Sequence, residues 1–151
     1  LINLFSSTMF VFYFTFILGS SVLLLLGPSI LEWIGSKIML PSFSILFIYL
    51  LVSLLETNHS LFANLITTKN EVPFVKPSII SGFFIILGSY LSLKYTSLGL
   101  LGLILVQGFC QLAYNNWKWP LYICREFNIT FTDILVTGAT QVVKQIYARY
   151  K

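Results

Sequence analysis

Residues 8–26 read TMFVFYFTFILGSSVLLLL, with no charged side chain among them. At a rise of about 1.5 Å per residue, such a run covers most of the ~30 Å hydrocarbon core of a bilayer. In a soluble domain it would need a polar shell around it, and the remaining sequence does not supply one. Of 151 residues, 57% are hydrophobic and 9% charged, and the mean hydropathy is +0.88. A soluble domain carries about a quarter charged residues. Most of this chain's outer surface must therefore meet lipid or other protein.

Three further runs share that character, separated by turn signals. Gly27-Pro28 closes the first segment, and the link after it holds Glu32, Trp33, Gly35 and Lys37. Pro41 opens the second, and the polar stretch TTKNEVPFVK ends it. Pro77 starts the third, which ends near Lys94. The short link after Tyr95 makes the third and fourth antiparallel neighbours. Trp117-Lys118-Trp119-Pro120 marks an aromatic interface at the far side. The pattern predicts an all-α integral membrane fold, with four transmembrane helices over residues 6–26, 41–66, 78–95 and 98–123.

Residues 128–151 are too polar to span. Thr132 is a candidate cap, and Leu135, Ala139, Val142 and Ile146 recur at helical spacing, with Asp133, Thr137, Gln141, Lys144 and Ala148 largely opposite. This predicts a short C-terminal amphipathic helix on the membrane surface. The chain thus divides into a four-helix membrane segment over 1–127 and a cytoplasmic tail over 128–151. The sequence opens on Leu1 without a basic leader or cleavage site, so the expectation is a chain that begins inside a longer protein, with N-terminal helices missing.

If the first segment starts on side one, that side receives Lys69, Lys76, Lys118, Arg125, Lys144, Arg149 and Lys151, while side two receives only Lys37 and Lys94. The bias puts side one, and both ends of the segment, in the cytoplasm. The net charge of +4 is accounted for by this topology; no basic cluster or stacking platform points to nucleic acid. Cys110 and Cys124 have no spacing suited to zinc or to a disulfide framework, so no metal and no cofactor is expected. Phosphate loops, GxSxG and HExxH are absent from the sequence, which argues against an enzyme.

The candidate site lies on the second and fourth segments. A charged carboxylate at membrane depth costs about 2.5–3.5 kcal/mol on insertion scales, so Glu56 must face a bundle interior or a watery cavity, or else snorkel to headgroups. His59 follows one turn later on the same face, and such a pair could exchange a proton near neutral pH. Asn58 adds a third polar group. On the fourth segment Gln107, Gln111 and Asn115 recur every four residues. Such an amide stripe either bonds neighbouring helices or lines a path for a hydroxyl-rich substrate.

The ordered features resemble a known family. The Gly27-Pro28 exit, the Trp33-Ile34-Gly35 loop, the Asn-rich end of the second segment, the Leu98-Gly99-Leu100-Leu101-Gly102 entry and the Trp-Lys-Trp-Pro exit lie in that order. Over about residues 15–125 the chain resembles bacterial polysaccharide-biosynthesis flippases of the O-antigen type, in the multidrug/oligosaccharide-lipid/polysaccharide transporter superfamily. The resemblance implies the C-terminal part of an inner-membrane flippase. Its partners would be membrane lipids and a polyprenyl-diphosphate-linked oligosaccharide moved for surface polysaccharide synthesis. The family's cavity is cationic, and here no Lys or Arg lies at the depth of any segment. Two other functions fit the same composition: a complete small four-helix proton-coupled exporter, and a non-transporting subunit that anchors glycan enzymes.

Overall fold

The computed structural model describes residues 1–149. The described residues fold into six helices: α1 (Ile2–Trp33), α2 (Phe43–Thr67), α3 (Val75–Tyr95), α4 (Leu100–Leu112), α5 (Asn115–Glu126) and α6 (Phe131–Arg149). Among the described residues there is no strand. Three helices, α1 to α3, are long and apolar enough to cross a membrane. Only 6%, 11% and 6% of their most apolar windows are buried inside the chain, so the rest of those side chains point outward, as lipid-facing helices require. Lys151 of the basic tail lies outside the described residues.

α1 runs past the expected stop. Pro28 sits inside it, and the helix continues to Trp33. A residue before proline normally avoids the helical region because its Cβ meets the ring, but Gly27 has no Cβ. That gap is filled instead by Leu40, whose Cδ1 would lie 2.8 Å from a Cβ at Gly27. Termination comes at Gly35, with φ +67. The amide of Ser36 bonds the Leu31 carbonyl at 2.9 Å and that of Gly35 bonds Glu32 at 3.0 Å, the paired closure of a Schellman end.

The fourth segment is not one helix. α4 stops at Leu112 and α5 starts at Asn115, with Tyr114 between them at φ −146, ψ −57. At 13 residues α4 is roughly 20 Å long, short of the ~30 Å core. The break lets α5 leave α3 and lie along α2, where Trp119 and Ile123 become buried. No charged residue interrupts residues 98–113, so the pattern alone predicts a continuous rod.

α6 is helical as expected, but its cap and its buried face differ. Thr130, not Thr132, caps it: the Asp133 amide donates to Thr130 Oγ1 at 3.2 Å, and Asp133 Oδ2 accepts from the Thr130 amide at 2.8 Å. This is a reciprocal capping box. Those bonds, the backbone one first, hold the Asp133 carboxyl below its usual range. The helix packs along the first half of α1. Ile134 and Gly138 are its buried positions, while Leu135, Ala139 and Val142 are half-buried and Ile146 is exposed, so the face that meets α1 is not the apolar face expected on the membrane surface. Gly138 sets the phase. A Cβ there would lie 2.2 Å from the Ser6 carbonyl oxygen, so only glycine lets the two backbones approach this closely.

The hydrophobic core lies at one end of the molecule. Phe5 and Met9 of α1, Phe62, Leu65 and Ile66 of α2, Trp119 and Ile123 of α5 and Ile134 of α6 form a single cluster. Phe5 meets Phe62 edge-on at 5.1 Å, and Phe74 meets Trp119 at 5.9 Å. Lys69 pairs with Glu126 at the same end and lies 5.1 Å over the Phe127 ring.

A candidate polar seam between the helices

Glu56 and Gln107 come together. Gln107 Nε2 donates to Glu56 Oε2 at 2.6 Å, joining α2 to α4 across 51 residues of sequence. The two line one wall of a groove of about 280 Å³, with Tyr49, Val52, Ser53 and Ile104 among its other lining residues. Gly108 brings the helices close just beyond it, since a Cβ there would meet Val52 at 2.8 Å. The second carboxylate oxygen of Glu56 has no partner among the described residues. A half-buried carboxylate in such a groove can accept a hydrogen bond from a substrate hydroxyl or take up a proton.

The other candidates point elsewhere. Asn58 is buried and turns to α1, where its Oδ1 accepts from the Tyr13 hydroxyl at 2.5 Å. His59 turns toward α5 and lies beside Asn116. His59 Nδ1 and Asn116 Oδ1 are buried side-chain atoms without a hydrogen-bond partner. Glu56 and His59 share a face of α2, yet no hydrogen bond joins them among the described residues.

Asn115 joins three helices. Its Nδ2 donates to Gln111 Oε1 at 2.8 Å and to Ser81 Oγ of α3 at 3.0 Å, while its Oδ1 accepts from Trp119 Nε1 at 3.2 Å. Ser81 in turn donates to the Pro77 carbonyl at 2.8 Å. Asn115 is 2% exposed, so these bonds satisfy a group that would otherwise cost about 1–3 kcal/mol to bury. The amide stripe therefore divides by role. Gln107 faces the groove with Glu56, whereas Gln111 and Asn115 tie helices together.

The six candidates form a seam along α2 and its neighbours and do not converge on one cavity. Sequence reasoning missed Tyr13, Ser81, Asn116 and Trp119 as members. Ser81 reads as a small packing residue and Trp119 as an interface ring, and only Asn116, beside the amide stripe, carried a signal. Among the described residues no group of His, Cys, Asp or Glu side chains could hold a metal ion. No family model, curated protein or solved structure matches this chain.

Proposed function

We propose that this chain is part of a flippase in the bacterial inner membrane that moves a polyprenyl-diphosphate-linked oligosaccharide for surface polysaccharide synthesis. The observation that carries the reading is the half-buried Glu56, bonded to Gln107 and facing a groove on a helix with no other Asp, Glu, Lys or Arg. A carboxylate kept at that depth costs enough that a lipid-facing or purely packing position would favour an apolar residue. Hydroxyl-rich cargo suits a wall that offers carboxylate oxygens and an amide.

In this reading α4 and α5 together make a fourth crossing, with Tyr114 as its bend. Both described ends, with the loop between α2 and α3, lie in the cytoplasm, as the Lys and Arg bias requires. The groove is too small for a glycan and holds no cation for a diphosphate. Further helices of the transporter supply both, and the outward apolar face of α1 is where they pack. α6 favours the alternative of an anchoring subunit in one respect, since Val136, Val143, Ile146 and Tyr147 stay exposed on its outer side.

Complementation separates the two. In a flippase-deficient bacterial strain, Glu56→Gln in the full-length protein should sharply reduce surface glycan at unchanged expression. The amide preserves shape and hydrogen bonding but cannot ionise. Full glycan from that variant would remove Glu56 from the transport path and leave the anchoring role in front.

A further inference from the structure

A second groove is larger than the one that holds Glu56. It lies between α3 and α4, encloses about 750 Å³, and is lined by Ile80, Phe84, Leu87, Phe109, Cys110 and Tyr114 among others, with Lys76 at its wide end. Its shape follows from the break in the fourth segment. At the far end the two helices are in close contact, since a Cβ at Gly102 would lie 2.2 Å from Ser92 Oγ, and one at Gly88 would lie 2.8 Å from Val106. At the near end α4 stops and α5 runs along α2, so the first turns of α3 keep Asn115 at Ser81 and Trp119 at Phe74 but are left open on the flank of Ile80 and Phe84. What remains is a wedge, apolar along its length and closed at the Ser92 end.

Charge is found only at the mouth. Lys76 lines it, and the Lys118 ammonium lies 6.0 Å from the centre of the Tyr114 ring, which also lines it. Neither lysine pairs with a carboxylate among the described residues: Glu126 is held by Lys69, Glu71 accepts from Tyr122, and Glu56 is bonded to Gln107. From Lys76 to Leu91 the wedge runs roughly 22 Å along α3, enough for the roughly 15 Å reach of one leaflet's chains. Its volume is in the ~300–1,000 Å³ range of sites that bury a small amphiphile.

We infer that this wedge holds one acyl chain of an anionic glycerophospholipid, with the phosphate between Lys76 and Lys118. The site lies apart from Glu56 and stands independently of the transport reading. A long apolar slot calls for a hydrocarbon chain, and two unpaired ammonium groups, Lys76 in its lining and Lys118 beside Tyr114 in the adjoining groove with Arg125 and Glu126, select an anionic head over a zwitterionic one. The head lies at the level where α3 begins, so the lipid belongs to the leaflet on the side of the α2–α3 loop. With the chain in place, the bare flank of α3 below Ser81 would be covered.

Native mass spectrometry of the purified full chain, offered phosphatidylcholine and phosphatidylglycerol in equal amounts, tests this. The unmodified chain should retain phosphatidylglycerol roughly tenfold over phosphatidylcholine, and Lys76→Gln with Lys118→Gln should abolish the preference, as two phosphate contacts near a membrane surface imply. Ala113→Phe, which fills the wide end, should lower retention of phosphatidylglycerol while both lysines remain. Equal retention of the two lipids by the unmodified chain would overturn the inference. So would a preference that survives both lysine substitutions, or displacement of phosphatidylglycerol by trace polyprenyl phosphate, which would assign the wedge to that lipid.

Discussion

The two ends of this bundle are held together in different ways. Where α1 begins and α2 ends, aromatic and branched side chains from α1, α2, α5 and α6 share one buried cluster, and Lys69 with Glu126 closes the rim. At the opposite end the link between α1 and α2 exposes Trp33, Ile38 and Met39, and the close contacts are between single small residues and a neighbour, Gly27 with Leu40 and Gly102 with Ser92. In lipid, apolar surface gains nothing by leaving the hydrocarbon, so helix association rests on packing and on polar contacts. The first end has both. At the second, close packing is confined to helix pairs, above all α3 with α4, and the α2–α4 groove with Glu56 lies between the two ends.

Substitutions that strike each end should expose the contrast. Phe62→Ala removes the centre of the buried cluster, at 0% exposure, and should cost about 3–5 kcal/mol, read as a lower midpoint of unfolding in detergent. Phe84→Ala, at 53% exposure on α3, should leave that midpoint close to the unmodified one. Gly138→Leu should come next. Overpacking costs about 1–3 kcal/mol where side chains can give way. Here the obstacle is the Ser6 backbone, so α6 should detach from α1 and become open to proteolysis. Gly82→Leu, where a Cβ meets nothing within 4 Å, is its control and should leave α6 protected.

The positions of the first three helices were legible because charge is so costly in a bilayer that its absence over a long run admits few alternatives. The break at Tyr114 was not, because nothing in hydropathy distinguishes a rod from two rods joined by a bend. That choice is made by Trp119, Ile123 and Asn115, which find partners on α2 and α3 only if the chain turns. The docking of α6 on α1 was not legible for a related reason. Hydrophobic spacing weighs side chains, and the closest contact is made by a residue that has none, Gly138. At the candidate site, Glu56 and Gln107 each stood out as polar groups in apolar runs, but their pairing across 51 residues is tertiary. His59 was read as Glu56's partner from helical spacing, and what the spacing did not show is its second neighbour, Asn116, which the bend brings against α2.

The smallest expected effect is one of pH. Asp133 has a lowered folded pKa, so its contribution to the α6 cap is present above the ordinary carboxylate range and is lost as pH falls through the lower folded value. Hydrogen exchange of the first turn of α6 should therefore speed up only in that acidic window, and Asp133→Asn should remove the pH dependence. The Phe62 cluster contains no titrating group and should keep its protection throughout.

Water access to position 56 tests the central claim most directly. In a full-length background with Cys110→Ser and Cys124→Ser, Glu56→Cys should react with a membrane-impermeant thiol reagent, and Phe84→Cys, exposed on the lipid-facing side of α3, should not. Gln107→Cys, across the same groove, should follow position 56. A position 56 that stays as silent as position 84, in a protein that is inserted and expressed at the normal level, would mean that no watery path reaches the seam and would contradict the transport reading.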